Sequence, residues 1–175
     1  MTTDTAPVTA EHAIVATRLG ELTIVRTGDE LTGLYFPHHW HRPDPATFGP
    51  RTGQGFDEAA RQLDEYLAGH RQRFDLPLRP RGTELQLRVW ELVAQVPYGR
   101  TTTYGDLARH VGGGVTPQEA GAAVGANPLC ILIPCHRVIG STGKLTGYAG
   151  GLARKRDLLD LERGQLTGPT DRAGS

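Results

Sequence analysis

The chain has 175 residues, enough for one large domain or two small ones with a real core. Lys plus Arg and Asp plus Glu both number 19, so bulk charge gives no support to a nucleic-acid partner and leaves only a local basic face for one. No apolar run approaches the length of a membrane span. The opening Met1-Thr-Thr-Asp-Thr-Ala6 has no basic stretch followed by an apolar one, so a cytoplasmic protein without membrane contact is expected.

Residues 1–12 are small and polar, with Pro7 and no periodicity, and are expected to be disordered. From Ala13 to Phe36, short apolar runs such as Leu22-Thr-Ile-Val25 and Leu31-Thr-Gly-Leu-Tyr-Phe36 alternate with the turn Thr27-Gly-Asp29, which predicts a small antiparallel sheet. Residues 37–55 are rich in Pro, Gly and His and read as a long loop. His38, His39 and His41 on it resemble a metal site, but Asp44 is the one acidic neighbour and no cysteine is near, so a solvated loop is expected. Phe56, Ala59, Ala60, Leu63, Tyr66 and Leu67 have helical spacing, and Gly69 ends the helix. A short strand, Phe74 to Leu78, closes an α/β unit over residues 13–80, and Arg79-Pro-Arg-Gly82 reads as a linker.

A mainly helical unit follows over residues 83–163. Thr83-Glu-Leu-Gln86 is a capping box that opens a helix with Leu85, Val89, Leu92, Val93 and Val96 on one face, and Pro97-Tyr-Gly99 breaks it. Thr103 caps a short helix from Tyr104 to Val111, ended by Gly112-Gly-Gly114. Thr116-Pro-Gln-Glu119 opens a second one that runs to about Ala126. The pair has the form of a helix-turn-helix, here in a winged-helix-like setting. Its second helix is almost bare, with Ala120, Gly121, Ala122, Ala123, Gly125 and Ala126, which lets it approach a partner or a neighbouring helix closely.

The stretch Asn127 to Gly140 organises the chain. Leu129 to Ile133 reads as a buried strand stopped by Pro134, and Cys135, His136 and Arg137 follow at once. A thiol beside an imidazole and a guanidinium has surroundings that favour thiolate, the nucleophilic form. Cys130 lies five residues before Cys135; along a strand the two Cα atoms would be roughly 16 Å apart, too far for a disulfide. Cys-x4-Cys-His is no standard zinc spacing, so neither a metal nor another cofactor is expected. Cys130 reads as a buried, inert thiol. Leu145-Thr-Gly-Tyr-Ala-Gly-Gly151 is a Gly-rich loop able to fold over a pocket. A last helix, Leu152 to Glu162, turns Leu152, Leu158, Leu159 and Leu161 inward, and residues 164–175 form a flexible tail.

Ile133-Pro-Cys-His-Arg-Val-Ile-Gly140 resembles the active-site signature of the O6-alkylguanine-DNA alkyltransferases, the suicide DNA-repair methyltransferases. The likeness extends through Pro97-Tyr-Gly99, Thr103-Tyr-Gly-Asp-Leu-Ala108, Asn127-Pro128 and Leu145 to Gly151, about half the chain. It implies a stoichiometric, irreversible transfer of the alkyl group from O6-alkylguanine in double-stranded DNA to Cys135. His136 would deprotonate the thiol through a water, Glu162 would orient His136, and Tyr104 would assist departure of the base. Tyr148, Ala149 and Pro134 would line the substrate pocket. Gln118, Gly121, Ala122, Asn127 and Arg137 would serve DNA binding, with Asn127 tying the helix pair to the pocket. The target base must leave the stack, through the minor groove in this family. Where relatives place an intercalating arginine, this chain has Gln118, followed by Glu119. A monomer is expected. Two other readings compete: a non-catalytic lesion sensor on the same scaffold, which would lack the cysteine, and a cysteine hydrolase using Cys135 and His136.

Overall fold

Three strands open the fold: β1 (Ala10–Thr17), β2 (Gly20–Thr27) and β3 (Glu30–Tyr35), an antiparallel meander in the order β1-β2-β3. The structure is a computed structural model that describes residues 9–39 and 42–164. Pairing begins at Ala10, opposite Thr27, so residues 10–12 belong to the sheet rather than to a disordered start. Glu11 is held there by an ion pair with Arg26 at 2.7 Å. Alternation along β2 sends Leu22 and Ile24 into the main core, while Val25 faces a smaller cluster with Tyr35 and Phe48. That second face is covered by a 3-10 turn, Pro45–Phe48, capped by Asp44, so the 37–55 loop is partly structured.

α1 (Asp57–Leu67) packs Ala59, Leu63, Tyr66 and Leu67 inward, as its spacing predicts. Phe74 to Leu78 is not a strand. Pro77 has no N–H to give a ladder, and the segment meets β3 through one isolated bridge, Leu31 to Leu78. The Gln62 side chain holds it instead, accepting from Asp75 N–H at 2.8 Å and donating to the Asp75 carbonyl at 3.1 Å.

α2 (Glu84–Ala94) starts on the Thr83 capping box with both arms formed. It buries Val89, Val93 and also Trp90, whose indole N–H donates to the Ala123 carbonyl at 2.8 Å. A two-residue strand β4 (Thr102–Thr103) runs into α3 (Tyr104–Val111), and α4 (Pro117–Gly125) follows with its own capping box. Ala120 and Ala123 are buried against α2, so part of the bareness of α4 serves helix packing. β4 pairs in parallel with β5 (Val138–Ile139), which clamps the Cys135–Arg137 turn against the start of α3. α5 (Leu152–Glu162) closes the fold, with Leu158, Leu159 and Leu161 buried. Leu152 is 46% exposed, because the first residue of the helix projects past the core. No helix among the described residues is long and apolar enough to cross a membrane.

One apolar core runs through both sequence units, joining Leu34, Phe36 and Tyr66 to Val89, Leu129 and Leu158. Residues 1–8 and 165–175, most of the expected disordered start and tail, lie outside the described residues.

Candidate active site

Leu129 to Ile133 is buried as expected, but it is a tight turn rather than a strand. Ile131 adopts φ 73°, and Cys130 bridges back to Ile133. A β-branched residue in the left-handed region costs on the order of 1–3 kcal/mol, so the surroundings must impose the turn. Asn127 does so from within, donating to the Ile133 carbonyl and accepting from Leu129 N–H, both at 2.9 Å. The first sheet does so from outside, through a 2.8 Å bond from Leu34 N–H to the Pro128 carbonyl. Asn127 is 2% exposed, with both ends of its amide spent inward on the turn. Asn127→Ala leaves two buried backbone groups unpaired and is expected to cost roughly 2–4 kcal/mol, read as a lower denaturant midpoint at unchanged slope.

The turn brings Cys130 back beside Cys135, and both thiols line one cavity of about 490 Å³. The separation expected of an extended strand is therefore wrong, while Cys130 is buried as expected. The neighbouring Cys130 thiol does most to hold the Cys135 pKa below the ordinary value, against burial; the Asn127 side chain and the Lys155 ammonium add to this. Cys130 is pushed well above its ordinary value by Cys135 beside it and by burial. His39 is buried too, against the solvated reading. Its ring stacks on Phe36, its Nδ1 accepts from Phe36 N–H at 3.3 Å, and its Nε2 lies 3.9 Å from the Cys130 sulfur. His38 is exposed and His41 lies outside the described residues, among which no metal-binding cluster occurs.

Lys155 gave no sign of itself in sequence. It is fully buried on α5, with Nζ donating to the carbonyls of Thr146 and Gly147 at 2.8 and 3.3 Å. Burial lowers its pKa to about 8. It thereby pins the Gly-rich loop that carries Tyr148 and Ala149 into the cavity wall. The Tyr148 hydroxyl is buried beside the Cys130 sulfur, with no nitrogen or oxygen partner among the described residues. Tyr104 forms the opposite wall; its hydroxyl donates to the Thr146 carbonyl at 3.3 Å, and burial raises its pKa, so the phenol keeps its proton.

Behind the thiol lies a buried polar cluster centred on Glu162. His136 Nε2 is 2.8 Å from Glu162 Oε2, which assigns the proton to Nε2. Nδ1 is then the basic nitrogen, buried without a hydrogen-bond partner among the described residues. Burial lowers the His136 pKa and outweighs the pull of Glu162, so the ring is neutral. Arg137 grips both carboxylate oxygens, Nε to Oε1 and Nη2 to Oε2, each at 2.8 Å, and Nη1 donates to the Val96 carbonyl at 2.7 Å. Gly99, in the left-handed region at φ 77°, delivers its N–H to Oε1 at 3.2 Å. From α1, the Tyr66 hydroxyl donates to Oε2 and sits 3.3 Å from His136 Nε2. Burial pushes the Glu162 carboxyl up, but the bonds from His136, Arg137 and Tyr66 outweigh it and hold it well below the carboxylate range.

Two more expectations are corrected here. Arg137 is 7% exposed with its donors turned inward, onto Glu162 and the Val96 carbonyl rather than toward the surface. Pro134 is buried on the far side of the turn, against a depression lined by Tyr98 and Arg137, and is not part of the cavity wall. From α4, Gln118 and Gly121 reach the cavity rim, whereas Ala122 is exposed beside it. The Glu119 carboxylate turns back to accept from Thr116 N–H at 2.8 Å, which draws its charge to the helix end.

A small antiparallel sheet packed on a helical unit that encloses a thiol-floored cavity defines the structural class. Residues 84–164 match the sequence model of the 6-O-methylguanine DNA methyltransferase DNA binding domain, and residues 12–80 that of the same proteins' ribonuclease-like domain. The chain is 43% identical over 145 residues to the methylated-DNA–protein-cysteine methyltransferase of Mycobacterium bovis, covering 83% of this chain and 87% of the relative. It is 50% identical over 107 residues to that of Methanosarcina acetivorans, covering 61% and 69%. The crystal structure of Mycobacterium tuberculosis OGT in complex with DNA superposes with a TM-score of 0.83 at 39% identity, over 93% of this chain and 97% of that one. The chain belongs to the 6-O-methylguanine DNA methyltransferase family.

Proposed function

We propose that this protein repairs DNA by moving the alkyl group of O6-alkylguanine onto Cys135, once per molecule and irreversibly. The observation that carries this reading is the Cys135 thiol, 4% exposed at the floor of a cavity whose walls are Tyr104, Tyr148 and the rim of α4. His136 Nδ1 takes the thiol proton through a water, and Glu162 holds the tautomer that leaves Nδ1 basic. The thiolate attacks the alkyl carbon in line; the S–C bond forms as the C–O6 bond breaks. The electron pair stays with the guanine, which is protonated from Tyr104. The hydrolase reading has no support: His136 faces Glu162 and Tyr66 in a closed cluster, and no relative described above is a hydrolase. The sensor reading fails on the presence of Cys135 in the cavity.

Double-stranded DNA carrying O6-alkylguanine is the partner, with α3 and α4 acting as a helix-turn-helix from the minor-groove side. Residues 13–80 and 83–163 are the two units, the protein acts as a monomer, and a cytoplasmic location suits two unpaired thiols. Incubation with a duplex bearing O6-methylguanine, followed by mass analysis, tests the reading: a gain of one methyl on the Cys135 peptide supports it, and multiple turnover or no gain rejects it.

Gln118, exposed at the rim, takes the place left by the extruded base with a hydrogen bond rather than a charge. Gln118→Arg is expected to speed transfer from duplex DNA about fivefold and Gln118→Ala to slow it by a similar factor, a difference of roughly 1 kcal/mol each way. Transfer from the free base should not change. If the duplex-to-free ratio stays constant in both variants, Gln118 is not the wedge.

A further inference from the structure

The Glu162 cluster contains one member from outside the helical unit. Tyr66 comes from α1, is 1% exposed, and reaches across 96 positions in sequence to give its hydroxyl proton to Glu162 Oε2. The same hydroxyl lies 3.3 Å from His136 Nε2. Because Nε2 and the phenol share one acceptor oxygen, each weakens the other's bond to it. Arg137 supplies a third donor to Oε2, so this oxygen is fully engaged. The groups that act on His136 are Tyr66 from α1, Glu162 and the more distant Lys155 ammonium from α5, and Arg137 beside it; both cations oppose its protonation. The Tyr66 ring is fixed in turn by Phe74 and Tyr98, with centroids at 5.1 and 6.1 Å.

We propose that Tyr66 is a positioning residue for alkyl transfer: by holding Glu162 Oε2 alongside His136, it sets how strongly the carboxylate pulls on the imidazole and therefore how readily Nδ1 takes the thiol proton. The first sequence unit thereby contributes to the chemistry of the second. The inference rests on the alkyl-transfer reading and assigns Tyr66 no contact with substrate.

The test is the single-turnover rate of methyl gain on Cys135 as a function of pH. In Tyr66→Phe, Glu162 is freed to bind His136 more strongly, which raises the imidazole pKa. The acid limb of the profile should move to higher pH, and the rate near neutrality should fall about tenfold, part of the roughly 10²–10⁴ that a positioned base contributes. A fluorinated tyrosine at position 66 keeps the hydroxyl but makes it a stronger donor, so the limb should move to lower pH; this arm decides the matter if the phenylalanine variant does not fold. An unmoved acid limb in the folded variants, whether or not the rate or the melting temperature falls, overturns the proposal, because lost packing explains such a result. If the wild-type protein itself gains no methyl, the transfer reading fails and not the role of Tyr66 within it.

Discussion

Glu162→Ala is expected to cost about 3–5 kcal/mol of folding stability and to slow alkyl transfer at neutral pH. The stability loss follows from what remains behind. Arg137 is buried with its guanidinium clamped on this carboxylate, and removing one partner of a buried pair leaves an uncompensated charge. Gly99 N–H and the Tyr66 hydroxyl lose their acceptor as well. Transfer slows because nothing then fixes the Nε2 tautomer of His136. The pH dependence carries the same signature. The Glu162 carboxyl is depressed in the folded protein, so its contribution is fully present above the unfolded value of about 4.3 and is lost as pH falls below it. Wild-type stability should therefore drop steeply in acid, and the alanine variant should show a flatter acid limb from a lower plateau. Urea melts at a series of pH values measure both; parallel curves would contradict the assignment.

The second large effect is chemical rather than structural. Cys135→Ser is expected to show no methyl adduct, however long the incubation with methylated duplex. The Cys130 thiol, Asn127 and Lys155 favour the Cys135 thiolate, but a serine hydroxyl is far too weak an acid for those groups to ionise. The cavity should keep its shape, since one sulfur is exchanged for a smaller oxygen at a buried point, so the melting temperature should move by only a few degrees. Affinity for methylated duplex should persist. A variant that still gains a methyl would place the acceptor elsewhere, with Cys130 the next thiol in the same cavity.

Local signals in the chain translated well into elements. The capping boxes at Thr83 and Thr116 and the span Leu152–Glu162 are visible in sequence because each depends on residues three or four positions apart. His136 meets Glu162, and Cys135 shares a cavity with Tyr104 and Tyr148. What was illegible is non-local. The apolar run at 129–133 has the composition of a strand; only Asn127 and the docking of Pro128 on Leu34 force it into a turn, and with it Cys130 onto Cys135. Arg137 looks like a free cation until Glu162, 25 positions on, and the Val96 carbonyl claim its donors. Tyr66 fits a helix core position, and nothing near it in sequence announces the carboxylate it meets.

The contact between Leu34 and Pro128 has a consequence for how this protein can vary. A strand edge of the first sheet is the template against which the nucleophile's turn is cast, within a single apolar core. A shift in the register of β3 would carry Pro128 with it and move the sulfur. Substitutions at Leu34 or Phe36, neither of which lines the cavity, are therefore constrained by reactivity as well as by folding. The linker near residues 79–82 separates two stretches of sequence without separating two independently evolving machines.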